Sequence, residues 1–490
     1  MTTSLLALLV VPLIGAVLTW ALRPAWALYV LTATAHAAVL ALAARLLGGV
    51  LQHRFPHAFA SWLDLDPLGG LVLLVVALVA FTSALYSIGY LHHEHREGAV
   101  SGRELRRYFA LLHVFVFTML LCAVAGNLGL LWTAIAATTV TSAPLVDFYG
   151  SHEPLEAAWK YILLTTAGSM VALLGFLVLY QAGVHLLGAS YDFSFPTLMA
   201  VAGRLPAPEA ASAFLLVLVG LGTKAGLAPM HSWLPDAHSQ APSPVCALLS
   251  GVELNCAMLG ILRVYALTAP AASPERLRLA LLGFGLVSVL VGVVFLVSQQ
   301  DFKRLLAYSS IEHMGLIAAG VGIGAPLATF GSMLQMVNHA ITKSLMFFAT
   351  GNLLLGFRTR AIASVGGLAR AMPATAVGLL AGGLAIAGAP PFNLFVSEVS
   401  IVAGAATSRQ WFPALALAGL LGIGFLAMVG PFNRMVFVPA AGPRERLGAR
   451  VNRLLLVPIY LSLAAALLLG AWVPGPLHDL LGGAAQVVSP

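Results

Sequence analysis

The chain is an almost unbroken series of apolar runs, each about as long as a bilayer is thick. A hydrocarbon core of about 30 Å needs about 20 apolar residues per helix, and the sequence supplies roughly fourteen such stretches. They lie at approximately 3–22, 27–48, 67–91, 108–125, 127–146, 157–180, 213–230, 243–268, 277–298, 307–324, 328–355, 373–389 continuing at 394–408, 411–435 and 455–474. Lipid cannot satisfy free backbone N–H and C=O groups, so a chain of this kind folds as helices that cross the bilayer. Of 490 residues 60% are hydrophobic and 9% charged, which leaves little material for an extramembrane domain. Residues 1–22 have no basic segment ahead of the apolar run and no small-residue cleavage pattern, so they read as the first span rather than a removable leader. The expected fold class is an all-α polytopic membrane protein with about 14 transmembrane helices in contact with lipid.

The net charge of +7 reflects topology rather than a nucleic-acid partner. Arg96, Arg103, Arg106 and Arg107 follow the third span, and Lys303 and Arg304 follow the ninth. Arg358, Arg360 and Arg370 follow the eleventh, and Arg444, Arg446, Arg450 and Arg453 the thirteenth. All are odd-numbered connections, so all lie on one side of the membrane. The positive-inside rule makes that side cytoplasmic, with both termini on the outer, periplasmic side of the cell's inner membrane. Cys122, Cys246 and Cys256 sit in apolar spans without metal or disulfide spacing and read as packing residues. No iron–sulfur, nucleotide or haem motif is visible, so no cofactor is expected in this chain.

Two spans are interrupted. One breaks after Lys224, at Gly226-Leu-Ala-Pro229, and the other at Gly388-Ala-Pro390-Pro391. They are the seventh and twelfth spans, the fourth of each block if the chain repeats as spans 4–8 and 9–13. Discontinuous helices in matching places point to an inverted repeat with ion sites at the breaks. The expected divisions are a three-helix segment at 1–107, a first five-helix repeat at 108–270, a second at 271–437 and a C-terminal helix in 438–490.

Charges inside apolar spans are costly and mark ion paths. Lys224 is about 12 residues into the seventh span, roughly 18 Å deep. Lys343 lies midway along another, with His339 four residues earlier on the same face. Glu398 follows the second break, where a carboxylate beside unwound backbone either exchanges protons or stabilises the start of the second half-helix. Glu253 lies about ten residues into the eighth span and is a candidate partner for Lys224, either for transport or as a structural ion pair. Glu312 and His313 enter the tenth span near the cytoplasmic side, as a proton uptake point or a helix-start carboxylate with a satisfied histidine. His231, Asp236 and His238 surround the first break with a spacing unlike that of a helical zinc motif. They either hydrogen-bond within the broken segment or line a watery path. Lys160, near a helix start, reads as an interface anchor.

These segments resemble the antiporter-like proton-channel subunits of respiratory complex I and of membrane-bound nickel–iron hydrogenases. The pieces are DPLG at 66–69 with LYSIGY at 85–90, LAPMHSWLPDAHSQAP at 227–242, DFKRLLAYSS at 301–310 and NHAITK at 338–343. Within the family, SSIEHMG at 309–315 and SPVCALLSG at 243–251 are most similar to the F component of the hydrogenase-4 and formate hydrogenlyase group. The resemblance implies two inverted five-helix repeats with discontinuous helices 7 and 12. It also implies a row of charged groups across mid-membrane, driven by a distant redox module. By position Lys224 is the central lysine of the first half-channel, Lys343 and His339 belong to the second, and Glu398 is the acidic end. One departure stands out: Ala136 occupies the place where the family carries a helix-five glutamate paired with that first lysine. Glu253 is the candidate replacement.

The expected function is proton translocation by a membrane subunit of a hydrogenase-type or complex-I-like assembly. Its partners would be other membrane subunits and a soluble module holding nickel–iron and iron–sulfur centres, with no redox centre in this chain. The rivals are a cation/proton antiporter subunit, the membrane subunit of an inorganic-carbon uptake system, and a non-pumping anchor whose first half-channel has decayed.

Overall fold

The computed structural model describes residues 1–439 and 452–489. Arg444, Arg446 and Arg450 lie outside the described residues. In chain order the helices are α1 (Thr2–Ala21), α2 (Ala25–Leu51), α3 (Pro67–Arg96), α4 (Gly102–Val124), α5 (Leu128–Val146), α6 (His152–Leu187), α7 (Phe195–Met199), α8 (Ala207–Lys224), α9 (Trp233–Gln240) and α10 (Ser243–Leu248). A π turn, Leu249–Glu253, joins α10 to α11 (Leu254–Thr268). There follow α12 (Pro274–Val297), α13 (Phe302–Ile323), α14 (Pro326–Phe357), α15 (Leu368–Ala371), α16 (Pro373–Ile386), α17 (Asn393–Thr407), α18 (Trp411–Phe437), α19 (Leu456–Ala471) and α20 (Gly475–Val488). A small hairpin, β1 (His57–Ala58) with β2 (Leu63–Asp64), lies between α2 and α3.

Among the described residues, thirteen helices are long and apolar enough to cross a membrane, taking α10, the π turn and α11 as one. The broken pair α16 and α17 makes the fourteenth crossing, so the chain is a multi-span membrane protein. Every residue in the apolar stretch of Ser243–Thr268 is buried in protein, against 28% for α18. The α10–α11 span is therefore shielded from lipid and can carry Glu253, Asn255 and Arg263.

Side-chain caps set several boundaries. Asp66 accepts from the Gly69 N–H at 2.7 Å with Pro67 at the first position of α3, and Ser101 with Glu104 forms a capping box on α4. Both breaks turn on a glycine in the left-handed region, Gly226 at φ 75° and Gly388 at φ 75°, where a side chain would be strained.

The structure corrects four expected positions. Helix α8 starts six residues before the apolar run, because Pro206 and Pro208 suit a first turn, while its end at Lys224 agrees with the break read after that residue. Helix α13 starts at Phe302, since Asp301 accepts from the Lys303 and Arg304 N–H groups at 2.7 and 3.1 Å. Glu312 and His313 are thus not at a helix entrance but ten and eleven residues in, about 15 Å along. Lys303, expected among loop charges, is buried. Finally, α20 follows the fourteenth crossing. Leu480, Leu481, Ala484 and Val488 form its buried face, packed near Gly70 and Pro67 of α3.

Candidate functional site

Helices α5, α6, α8 and the π turn meet around Lys224, which is fully buried. Its Nζ lies 2.7 Å from Glu253 Oε1 and donates to the Thr139 hydroxyl. The same ammonium sits over the Tyr161 ring, 5.6 Å from the centroid. Glu253 Oε1 also accepts from the Tyr161 hydroxyl at 2.6 Å and from Thr138 Oγ1 at 2.8 Å. One carboxylate oxygen therefore gathers three donors, while Oε2 has no partner among the described residues. Ser142 Oγ, 2.7 Å from the Tyr161 hydroxyl, extends the network. Ala136 is half-buried on α5 and contributes no polar atom. The carboxylate facing Lys224 thus comes from the π turn, where the extra backbone residue re-aims a side chain inside an otherwise regular helix.

The second cluster lies between α13, α14 and α17. Lys343, fully buried, donates to the Leu306 carbonyl at 2.6 Å and to Ser309 Oγ, both neutral groups. Glu312, one turn beyond Ser309, turns towards α18, with its Oε1 against Gly424. His313 Nδ1 is 3.0 Å from Gln335 Nε2 and 3.8 Å from Glu398 Oε1, beyond hydrogen-bond range of the carboxylate. The His313 and His339 ring centroids are 5.4 Å apart, and neither nitrogen of His339 has a partner among the described residues. Glu398 Oε2 abuts Gly388 of the break. Beside it is a cavity of about 420 Å³ lined by Phe395, Val399, Leu421 and Phe425, so the side of this carboxylate away from His313 is apolar. Asn338 and Asn393 exchange side-chain-to-carbonyl hydrogen bonds at 2.8 and 3.2 Å, fastening α17 to α14.

The α10–α11 span touches both clusters. Ser250, in the π turn, lies 2.7 Å from Ser310 Oγ on α13. Asn255 Nδ2 donates to the Met336 carbonyl on α14 at 3.3 Å.

The three residues around the first break separate. His231 is half-buried beside the Phe295 and Tyr308 rings. His238 is buried, with Nδ1 donating to the Leu234 carbonyl at 2.9 Å and Nε2 unpartnered among the described residues. Asp236 pairs with Arg304 at 2.5 Å and with the exposed Lys160 at 3.2 Å, a structural arrangement at the fold's basic end.

Three charged residues escaped sequence reasoning. Arg263 is buried, pairs with Asp66 at 3.0 Å and donates to the Ala125 carbonyl at 2.6 Å. The signal that marked Lys224, a charge in an apolar span, was present there too. Lys303 reaches the Ala241 carbonyl at 2.5 Å, and Glu94 is buried and accepts from Tyr149 at 3.0 Å. Both lie near helix ends, where charge ordinarily means solvent. Among the described residues, no group of three or more His, Cys, Asp or Glu is placed to hold a metal ion.

Buried lysines and carboxylates thus lie on either side of a wholly buried central span, with broken helices at their edges. The NADH:quinone oxidoreductase/Mrp antiporter membrane family matches residues 125–424, and the N-terminal family of complex I chain 5 matches 59–109. The chain belongs to the NADH:quinone oxidoreductase/Mrp antiporter family. It is 35% identical over 418 residues to a hydrogenase-4 component F homolog of Methylacidiphilum infernorum, covering 84% of this chain and 86% of that protein. With hydrogenase-4 component B of Escherichia coli it is 33% identical over 412 residues, 81% of this chain and 59% of the longer relative. A chain in the structure of the Mrp complex from Dietzia sp. superimposes with a TM-score of 0.87 at 21% identity, covering 100% of this chain and 98% of that one.

Proposed function

We propose that this chain is the proton-translocating membrane subunit of a redox-driven assembly of the hydrogenase or complex I type. The observation that carries the reading is the fully buried Lys224–Glu253 contact at 2.7 Å. Two opposite charges without water are costly, and a proton passed from the ammonium to the carboxylate leaves two neutral groups that burial tolerates far better. Each arrival or departure of a proton nearby therefore changes the balance between charged and neutral forms. That is the property a proton relay requires.

In this reading Lys224 and Glu253 form the first station. Lys343 forms the second, with His339, His313 and Glu312 around it, and Glu398 is the terminal carboxylate. His238 links the stations at the basic end, and His231 and Asp236 border the path there. The repeat boundaries near 107, 270 and 437, the cytoplasmic placement of the basic end and the periplasmic termini belong to the same proposal. So do partner subunits carrying nickel–iron and iron–sulfur centres.

The anchor reading rests on Ala136. The contacts of Glu253 weigh against it, because they supply Lys224 with a carboxylate from another helix. Redox-driven proton uptake by the purified complex in proteoliposomes tests the proposal. Lys343→Ala and Lys224→Ala should each lower it about tenfold or more, the equivalent of about 1.4 kcal/mol in a barrier. Uptake unchanged in both variants would defeat it. Uptake that requires Na⁺ on the opposite face would favour an antiporter, and a zinc-bearing soluble partner would favour carbon uptake.

A further inference from the structure

The N-terminal helices hold a second set of buried polar groups, away from the lysine row. His36 on α2 and His113 on α4 are 1% and 0% exposed. Their rings stack with centroids 4.9 Å apart and planes 28° from parallel. His36 Nδ1 bonds to the Thr32 carbonyl at 2.9 Å. A carbonyl only accepts, so Nδ1 carries the proton, and Nε2 of the neutral ring is a bare lone pair. That Nε2 has no donor among the described residues, and neither nitrogen of His113 has a partner. A neutral His113 has one donor and one acceptor. The two rings are chemically complementary, yet the N–H groups and lone pairs of imidazole lie in the ring plane. Rings stacked face to face therefore cannot bond to each other directly. A single water within hydrogen-bond reach of a ring-edge nitrogen of each would join them.

The neighbourhood extends the pattern. Tyr29, Thr32 and His36 fall on one face of α2. The Tyr29 hydroxyl and Thr32 Oγ1 are likewise buried without partners among the described residues. Tyr29 meets His92, at the basic end of α3, edge-on at 5.8 Å. The orphaned atoms thus form a stripe from that end of the bundle to the middle of α2. Helix α1 accommodates the His113 ring at Gly15, where a Cβ would come within 2.8 Å of His113 Nδ1. An unsatisfied buried polar group costs about 1–3 kcal/mol. Five such atoms along one stripe call for bound occupants, and a stripe walled by uncharged donors and acceptors suits water.

We infer that His36 and His113 hold bound water and form a proton-exchange pocket in the N-terminal helices, reached past Tyr29 from the end holding His92. It stands apart from the row running through Lys224 and Lys343, so it survives or fails independently of that row.

Water-edited solid-state NMR on the whole purified complex in lipid, with ¹⁵N-histidine in this chain, tests the inference. Two imidazole signals, assigned by their loss in His36→Phe and His113→Phe, should receive magnetisation from water, and their N–H groups should exchange in D₂O. Thr32→Val keeps the volume and the carbonyl but removes one orphan, so transfer to His36 should fall several-fold. That variant keeps the test open if a ring substitution fails to fold. No water transfer to either ring, N–H groups that persist in D₂O, or ¹⁵N shifts of metal-bound imidazole would each overturn the inference.

Discussion

The two lysine sites solve one problem in opposite ways. Lys224 meets a carboxylate, a hydroxyl and an aromatic face within one shell. Lys343 is equally buried but meets only a carbonyl and a serine, while the nearest acids face elsewhere, Glu312 towards Gly424 and Glu398 towards Gly388. The first site is a closed ion pair whose charge is cancelled locally. The second is a lysine held by dipoles, with Glu312 one turn along α13 from Ser309 but turned away, so its cationic form has no carboxylate in contact. In low dielectric such a cation feels distant charges strongly, so the second site is the one poised to respond to neighbours.

The sharpest way to break this contrast is to remove a carboxylate from each side. Glu253→Ala leaves a buried, uncompensated lysine and should cost about 3–5 kcal/mol of stability. The double variant with Lys224→Ala should cost clearly less than the two singles combined, and unfolding of the purified subunit in mixed micelles reads both. A purely additive cycle would end the description of a coupled pair. Next in size, Ser309→Ala should cost about 1–3 kcal/mol, the loss of one partner for a buried donor, read in the same unfolding assay. Glu398→Gln should change stability by about 1 kcal/mol or less, because His313 lies beyond hydrogen-bond range, yet it should depress proton uptake in proteoliposomes. If it destabilised the fold as much as Glu253→Ala, the two sites would be alike after all. The smallest effect is expected for Lys160→Ala, a loss at the edge of what the unfolding assay resolves, since the lysine and its Glu156 partner are exposed and Asp236 keeps its second pair with Arg304. That loss should shrink further in high salt.

Much of this was legible in the sequence. Apolar length alone located the crossings, because the bilayer imposes it, and Gly226 and Gly388 with nearby prolines announced both breaks. The Lys224–Glu253 contact was legible as a candidate because an extra mid-depth carboxylate appeared in a chain with alanine at 136. What stayed hidden is equally physical. Leu249-Ser-Gly-Val-Glu253 has the composition of ordinary helix, and a π turn arises from packing on both sides rather than from local preference. Lys303 beside Arg304 reads as a solvated loop until Asp301 is seen to start a helix there. The amphipathic spacing of α20 was present but short, and two glycines weakened it. Arg263 lies about a turn and a half from the end of its span with no glycine or proline beside it, so no break drew notice to its charge.

The π turn has a consequence for how this molecule can change. Within six residues, Ser250 and Asn255 hold the α13–α14 side while Glu253 holds the α5–α8 side. A single inserted or deleted residue there would swing everything downstream by about 100° around the helix axis, the angle one residue subtends at 3.6 per turn. Arg263 would be carried away from Asp66 as Ser250 and Glu253 lost their common phase. The two halves are thus locked to a shared reading frame of side-chain direction, and neither can drift in length through this segment without dragging the other along.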